Sequence, residues 1–273
     1  MTGRTTRKAP RAPRARLDAE LVRRGLARSR EQAAELIAAG RVTVNGEAAA
    51  KAATQVARDA PITVADPDEP GYVSRGGHKL AGALAAFGGL QVAGRNALDA
   101  GASTGGFTDV LLRAGAAHVV AADVGYGQLA WSLRTDPRVT VMDRVNVRTL
   151  EQVSPVPDLV VADLSFISLT LVLPALVACA TPDADFVLMV KPQFEVGKGR
   201  VGAGGVVRET TDRSAAVRKV TEAAGHLGLG VQGVTASPLP GAAGNVEYFV
   251  WLRRGAPPLD EDELERAIQE GPS

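Results

Sequence analysis

The sequence predicts an α/β protein, in which a doubly wound, mostly parallel sheet of seven strands follows a small N-terminal α+β domain. Three observations predict it. From residue 96 to 254, short runs that are apolar throughout alternate with segments of helical periodicity, as expected of strands covered on both faces by crossover helices. Thirty glycines against 4% aromatic residues point to tight strand-to-helix turns. The net charge of +1 conceals a basic front, because residues 1–60 carry 13 Lys+Arg and 6 Asp+Glu and leave 18 and 24 for the remainder. A length of 273 residues suits one large domain with a small one, and 45% hydrophobic content excludes a disordered chain. The single cysteine, Cys179, excludes an internal disulfide framework. No secretory pattern opens the chain, so a cytoplasmic protein is expected.

Residues 1–15, "MTGRTTRKAPRAPRA", have no apolar periodicity and are expected to be a disordered basic arm. Ten of the 13 basic residues of the front lie in the first 30, which suits a polyanionic partner such as RNA. From Arg16, Leu17, Leu21 and Val22, then Ala33, Leu36 and Ile37, recur at helical spacing, separated by Gly25 and by Ser29 as an N-cap. "VTVNG" adds a strand and an Asn-Gly hairpin turn, and Ile62 and Val64 close the unit. Residues 16–65 resemble the small RNA-binding domain of ribosomal protein S-four. The resemblance implies that Arg16, Arg28, Ser29, Arg30 and Arg41 face RNA phosphates, contacts that position a protein without reading sequence.

Residues 66–75 read as a Pro- and acid-rich linker, and residues 76–256 as the large domain. Its strands are "NALDAG", "HVVAADV", "VTVMD", "DLVVADLS", "DFVLMVKP", "VQGVTAS" and "EYFVWLRR", with helices expected at 106–114, 127–135, 168–180 and 212–227. Residues 257–273 read as an acidic helical tail, a solvated appendage. The apolar stretch 159–180 contains Asp163 and Pro174, and a buried strand followed by a packed helix explains it better than a membrane span.

The stretch "LDAGASTGGFTDVLL" at 98–112 admits three readings. Gly101, Ser103 and Gly105 fit a hydrolase elbow, but none of His78, His118 and His226 stands as its base. A dinucleotide loop needs a second glycine where Ser103 stands. Asp99 and Gly101, followed by Gly105, Gly106 and Phe107 at a helix start, suit the carboxylate and ammonium of S-adenosylmethionine. Asp123, ending the second strand, would take a ribose diol, and Asp143, ending the third, is either an adenine contact or an ordinary surface turn.

Ligand chemistry in a parallel sheet gathers at the carboxyl ends of the strands. Asp163 and Lys191 end two strands, and Lys79 lies in the first turn of the helix before the first strand. Glu247 reaches that edge if the last strand runs antiparallel. Each has an ordinary reading as a cap, a salt-bridge partner or a surface charge; jointly they make a site. No cluster of metal ligands suggests a metal.

"VSRGGHKL", "LDAGASTGGFTDVLL", "AADVGYGQL", "VADLSFISL", "VKPQFEVG" and "NVEYFVWL" resemble the TlyA family of ribosomal RNA 2′-O-methyltransferases, whose catalytic domain is FtsJ-like with a Rossmann-like sheet. The resemblance spans essentially the whole chain. It implies transfer of methyl from S-adenosylmethionine to cytidine in large-subunit RNA, and, given the N-terminal extension, in small-subunit RNA also. It implies ribosomal subunits as partner, no membrane, and a catalytic tetrad Lys79, Asp163, Lys191 and Glu247, with Asp163 also favouring the sulfonium. Lys191 would touch the ribose hydroxyl, with desolvation and the like charge of Lys79 nearby favouring a neutral amine that would take the proton. Whether it is a general base or a positioning donor stays open. The alternatives are a haemolysin or other membrane-acting protein, a label the family has attracted, and a non-catalytic RNA-binding assembly factor. The basic, glycine-rich segment 197–209 reads either as a loop that closes on RNA or as a flexible connection.

Overall fold

The computed structural model describes residues 14–38, 40–64, 71–241 and 243–272. It divides between Ser74 and Arg75 into two compact units. The first contains β1 (Arg14–Arg16), α1 (Leu17–Arg23), α2 (Arg30–Ala38), β2 (Val42–Val44), β3 (Glu47–Ala48), β4 (Gln55–Ala57) and β5 (Ile62–Val64). Leu17, Leu21, Ala33, Ile37, Val42 and Val56 form its core, which is why the helical periodicity of residues 17–37 is so regular. Asn45 and Gly46 both take positive φ, 53° and 84°, so β2 turns tightly into β3.

Most of the expected basic arm, residues 1–13, lies outside the described residues. Its end requires correction. Arg14 and Ala15 belong to β1, which pairs antiparallel with β4 in the register Arg14↔Ala57 to Arg16↔Gln55. The ladder consists of backbone hydrogen bonds, which leave no mark on side-chain periodicity.

The second unit contains α3 (Gly76–Ala86), β6 (Asn96–Ala100), α4 (Gly106–Arg113), β7 (His118–Asp123), α5 (Trp131–Arg134), β8 (Val139–Asp143), β9 (Leu159–Ala162), α6 (Leu169–Ala178), β10 (Asp185–Val190), α7 (Pro192–Glu195), α8 (Thr210–Gly225), β11 (Leu229–Ala236), β12 (Tyr248–Arg254) and α9 (Glu261–Glu270). The helix expected at 127–135 shrinks to the four residues of α5. The seven-stranded sheet has the order β11-β12-β10-β9-β6-β7-β8, with β12 antiparallel to both neighbours and the other pairings parallel. The order reverses between β6 and β9, so the carboxyl edge opens there into a crevice.

Alternate strand residues divide between two faces. Leu98, Ala100, Val120, Ala122, Val160, Ala162, Phe186, Leu188 and Val190 join residues of α6, α8 and α9 in one core. The intervening positions, Asp99 among them, point to the opposite face, where Asp99 meets Thr108 of α4. The tail at 257–273 is therefore no solvated appendage. Leu264, Ala267 and Ile268 of α9 are buried in the core of the sheet, and the acidic residues between them are its outer face.

Candidate active site

The turn after β6 is built by backbone conformation. Gly101, Ser103 and Gly105 take φ of 87°, 47° and 98°, bringing the chain from strand to helix in a few residues. A side chain at Gly101 would put its Cβ 2.6 Å from the backbone oxygen of Asp163, so only glycine permits this approach of the β6 and β9 loops. The amide of Ser103 donates to Asp123 Oδ2 at 2.8 Å, and that of Gly125 to Oδ1 at 2.7 Å. Asp123 thus ties the loops after β6 and β7 together, and each of its oxygens retains a lone pair. Ser103 Oγ bonds Gln128, not a histidine, which removes the elbow reading. Asp143 is held by Arg134 at 2.9 Å and by the amide of Gly127 at 3.3 Å.

Gly106 and Phe107 open α4, where first-turn amides have no partner within the helix. The Phe107 ring is 3% exposed and packs 6.0 Å from Phe249, which leaves its backbone amide as the group at the helix start. Asp99 is fully buried: Oδ2 accepts from Thr108 Oγ1 at 2.7 Å, while Oδ1 has no partner. Burial holds this carboxyl up to about 7; the negative charges of Asp163 and Asp123 add to the rise and the Thr108 hydroxyl opposes it.

Asp163 and Lys191 directly follow β9 and β10, and Glu247 directly precedes β12, so all three stand at the same edge of three neighbouring strands. Glu247 is there because β12 runs antiparallel, with Tyr248 opposite Val190. Lys79, from the first turn of α3, is buried and meets Glu247 Oε2 at 2.5 Å. Lys191 Nζ lies 2.5 Å from Asp163 Oδ1 but directs its aligned hydrogen bond to Ser165 Oγ at 3.0 Å. Asp163 Oδ1 is consequently in charge contact without a well-angled donor. The four groups thus form two Lys–carboxylate pairs, formally neutral together. Such pairs are poor stabilisers when buried and are kept where chemistry uses them.

Several residues of this edge escaped the sequence reading. Ser165 is one. Phe166, with φ 64° and 91% exposure, lies 5.2 Å from Phe194 with the ring planes tilted by 47°, one aromatic from each of the segments that follow Asp163 and Lys191. Tyr126 and Trp131 are also exposed, and the Arg144 guanidinium lies 4.4 Å from the Tyr126 ring centre. Periodicity assigns such rings to a core, and only position beside the charged edge separates them from it. The glycine-rich segment 197–209 is anchored at its far end, where Asn245 accepts from the amide of Val207 at 2.9 Å and donates to the oxygen of Gly205 at 2.8 Å.

In the first unit, Arg16 and Arg30 share one partner: both bond the carboxylate of Asp18, each at 2.9 Å, and remain about half exposed. The Arg16 hydrogen bond in particular holds Asp18, despite its burial, well below the usual carboxylate range. Ser29 Oγ is spent on the amide of Gln32, capping α2. Arg28 is exposed and Arg41 half-buried. Among the described residues, no cluster of three metal-ligating side chains occurs and no helix is long and apolar enough to cross a membrane.

Residues 72–254 match the FtsJ-like methyltransferase family model, and residues 15–62 that of the S4 domain. The chain is 62% identical over 269 residues, 96% of its own length and the whole of the relative, to the 16S/23S rRNA (cytidine-2'-O)-methyltransferase TlyA of Mycobacterium tuberculosis. The chain belongs to the TlyA family. Another relative, Hemolysin A of Brachyspira hyodysenteriae, is 37% identical over 86% of this TlyA-family chain and 98% of that protein. A solved structure from Streptococcus thermophilus, provisionally named a hemolysin, has a TM-score of 0.73 at 39% identity, covering 94% of this chain and 97% of that one. The S4 unit and the seven-stranded sheet are therefore those of a TlyA-type methyltransferase.

Proposed function

We propose that the chain transfers a methyl group from S-adenosylmethionine to the ribose 2′-hydroxyl of cytidine in ribosomal RNA. The observation that carries this reading is the pairing of Lys191 with Asp163 and of Lys79 with Glu247 at the carboxyl edge of neighbouring strands, beside the strand-order reversal. The residues fit the cofactor. One fully buried carboxylate oxygen, Asp99 Oδ1, lacks a hydrogen-bond donor, and a methionine ammonium supplies one. The first-turn amides of α4 suit its carboxylate, Asp123 its ribose diol, and Asp143 its adenine amine.

When bound, the cofactor supplies an electrophilic methyl. Lys191 holds the attacking hydroxyl in line, with Nζ fixed by Asp163 and Ser165, and such orientation accounts for a large part of a transfer barrier. The Lys191–Asp163 pair offers a route for the hydroxyl proton. Lys79 and Glu247 hold the ribose. Arg16, Arg28, Arg30 and Arg41 of the S4 unit contact RNA phosphates, Asp18 presenting two of them as a fixed pair. Both ribosomal subunits are substrates in this reading, supported by the 62% identity to a relative named for both RNAs; the protein works in the cytoplasm, where its substrate is.

Labelled methyl transfer to separated ribosomal subunits, with wild type and Lys191→Ala, tests the reading. A 2′-O-methylcytidine that appears with wild type and vanishes with the variant is expected. Cofactor binding without transfer to either subunit overturns the substrate; no cofactor binding leaves an RNA-binding factor, and lysis of membranes by the protein without cofactor would favour the haemolysin alternative.

A further inference from the structure

We infer that Glu195 is a positioning residue that sets the segment carrying Asp163 and Ser165 against Lys191, an inference that rests on the methyl-transfer reading above. Residues 163–168 join β9 to α6. Their start is tied to the sheet by the Asp163 amide, which donates to the oxygen of Ala100 at 3.1 Å. Beyond that point the chain leaves the ladder, and Phe166 reverses it with a positive φ of 64°. Both contacts that fix Lys191 Nζ, Asp163 Oδ1 and Ser165 Oγ, lie in this stretch.

Glu195 holds its far end. Its buried carboxylate accepts from the amide of Leu169 at 2.7 Å and from Ser168 Oγ at 2.5 Å, the junction with α6. The same side chain belongs to α7, whose turn is built directly on Lys191: Pro192 starts it, and the Phe194 amide donates to the Lys191 oxygen at 2.9 Å. One carboxylate therefore lashes the turn that follows one member of the Lys191–Asp163 pair to the loop that follows the other. Lys219 neutralises it from α8, with Nζ 3.3 Å from Oε2 and 2.8 Å from the backbone oxygen of Glu195. Glu195 shares the capping of α6 with Ser168, one taking the amide of Leu169 and the other that of Thr170. What Glu195 adds is the tie across to α7.

Its loss lets the loop drift relative to Lys191, and a displacement near 1 Å at a transfer site costs on the order of 10²-fold in rate. The test compares wild type, Glu195→Ala, Glu195→Gln, Ser165→Ala and the Glu195→Ala/Ser165→Ala double variant for methyl transfer to ribosomal subunits and for S-adenosylmethionine affinity by calorimetry. Expected are a kcat lowered about 10²-fold in Glu195→Ala with a much smaller loss of cofactor affinity, because Asp163 stays tied to Ala100 through its amide, recovery in Glu195→Gln, which can still accept from Leu169 and donate to Ser168, and a double variant no slower than Glu195→Ala alone. Multiplicative effects in the double variant, or kcat and affinity falling together in proportion to lost folded protein, reduce Glu195 to a structural residue and overturn the inference. If Glu195→Ala does not fold, Glu195→Asp, which keeps the charge but withdraws it, takes its place in the same comparison. Absence of transfer by wild type is a failure of the methyl-transfer reading instead.

Discussion

Replacing Asp99 by asparagine should stabilise the catalytic unit, and increasingly so as pH rises. The folded protein keeps this carboxyl protonated up to about 7, whereas the ordinary aspartate value is 3.8. Between those values the unfolded chain releases a proton that the folded chain retains, so wild type loses stability as pH rises through the window. The difference of about 3 pH units corresponds to a ceiling of about 4 kcal/mol, at roughly 1.4 kcal/mol per unit. Local relaxation around a charged Asp99 brings the expected figure to roughly 2–4 kcal/mol above about pH 7. The amide keeps an acceptor for Thr108 and has no titration. Urea midpoints followed by tryptophan fluorescence measure it directly, since Trp131 and Trp251 both lie in the second unit. The stability difference between Asp99→Asn and wild type should widen from about pH 4 to about pH 8. A difference that stays flat with pH would refute both the buried, protonated carboxyl and the reasoning from its desolvation.

Lys79→Met leaves Glu247, 3% exposed, as an uncompensated buried charge and should cost about 3–5 kcal/mol in urea denaturation. Lys79→Met/Glu247→Leu should recover most of that stability without recovering methyl transfer; an equally unstable double variant would mean that packing, not charge, governs the site. In the S4 unit, the exposed Arg28 should yield to alanine with an unchanged thermal midpoint, weaker RNA binding, and a slope of log affinity against log salt reduced by about 1. An unaltered slope would remove Arg28 from the RNA contact.

The sequence by itself determined the seven strands, the two-unit organisation and the strand-end positions of Asp163 and Lys191. These depend on local quantities: a strand covered on both faces must be apolar throughout, and a charge that ends such a run must leave the sheet at its edge. Tertiary structure alone decided the rest. The antiparallel insertion of β12 between β10 and β11 brings Glu247 to Lys79, 168 positions away. The pairing of β1 with β4 takes Arg14 and Ala15 out of the arm, and burial of Leu264 and Ile268 draws the acidic tail onto the core. Packing of the Phe107 ring against Phe249 fixes the start of α4, and Glu195, in the motif beside Lys191, meets the start of α6 across 26 residues of chain. Each of these depends on which distant segment lies opposite and on how much water it removes, and desolvation and long-range pairing have no period that a sequence can display.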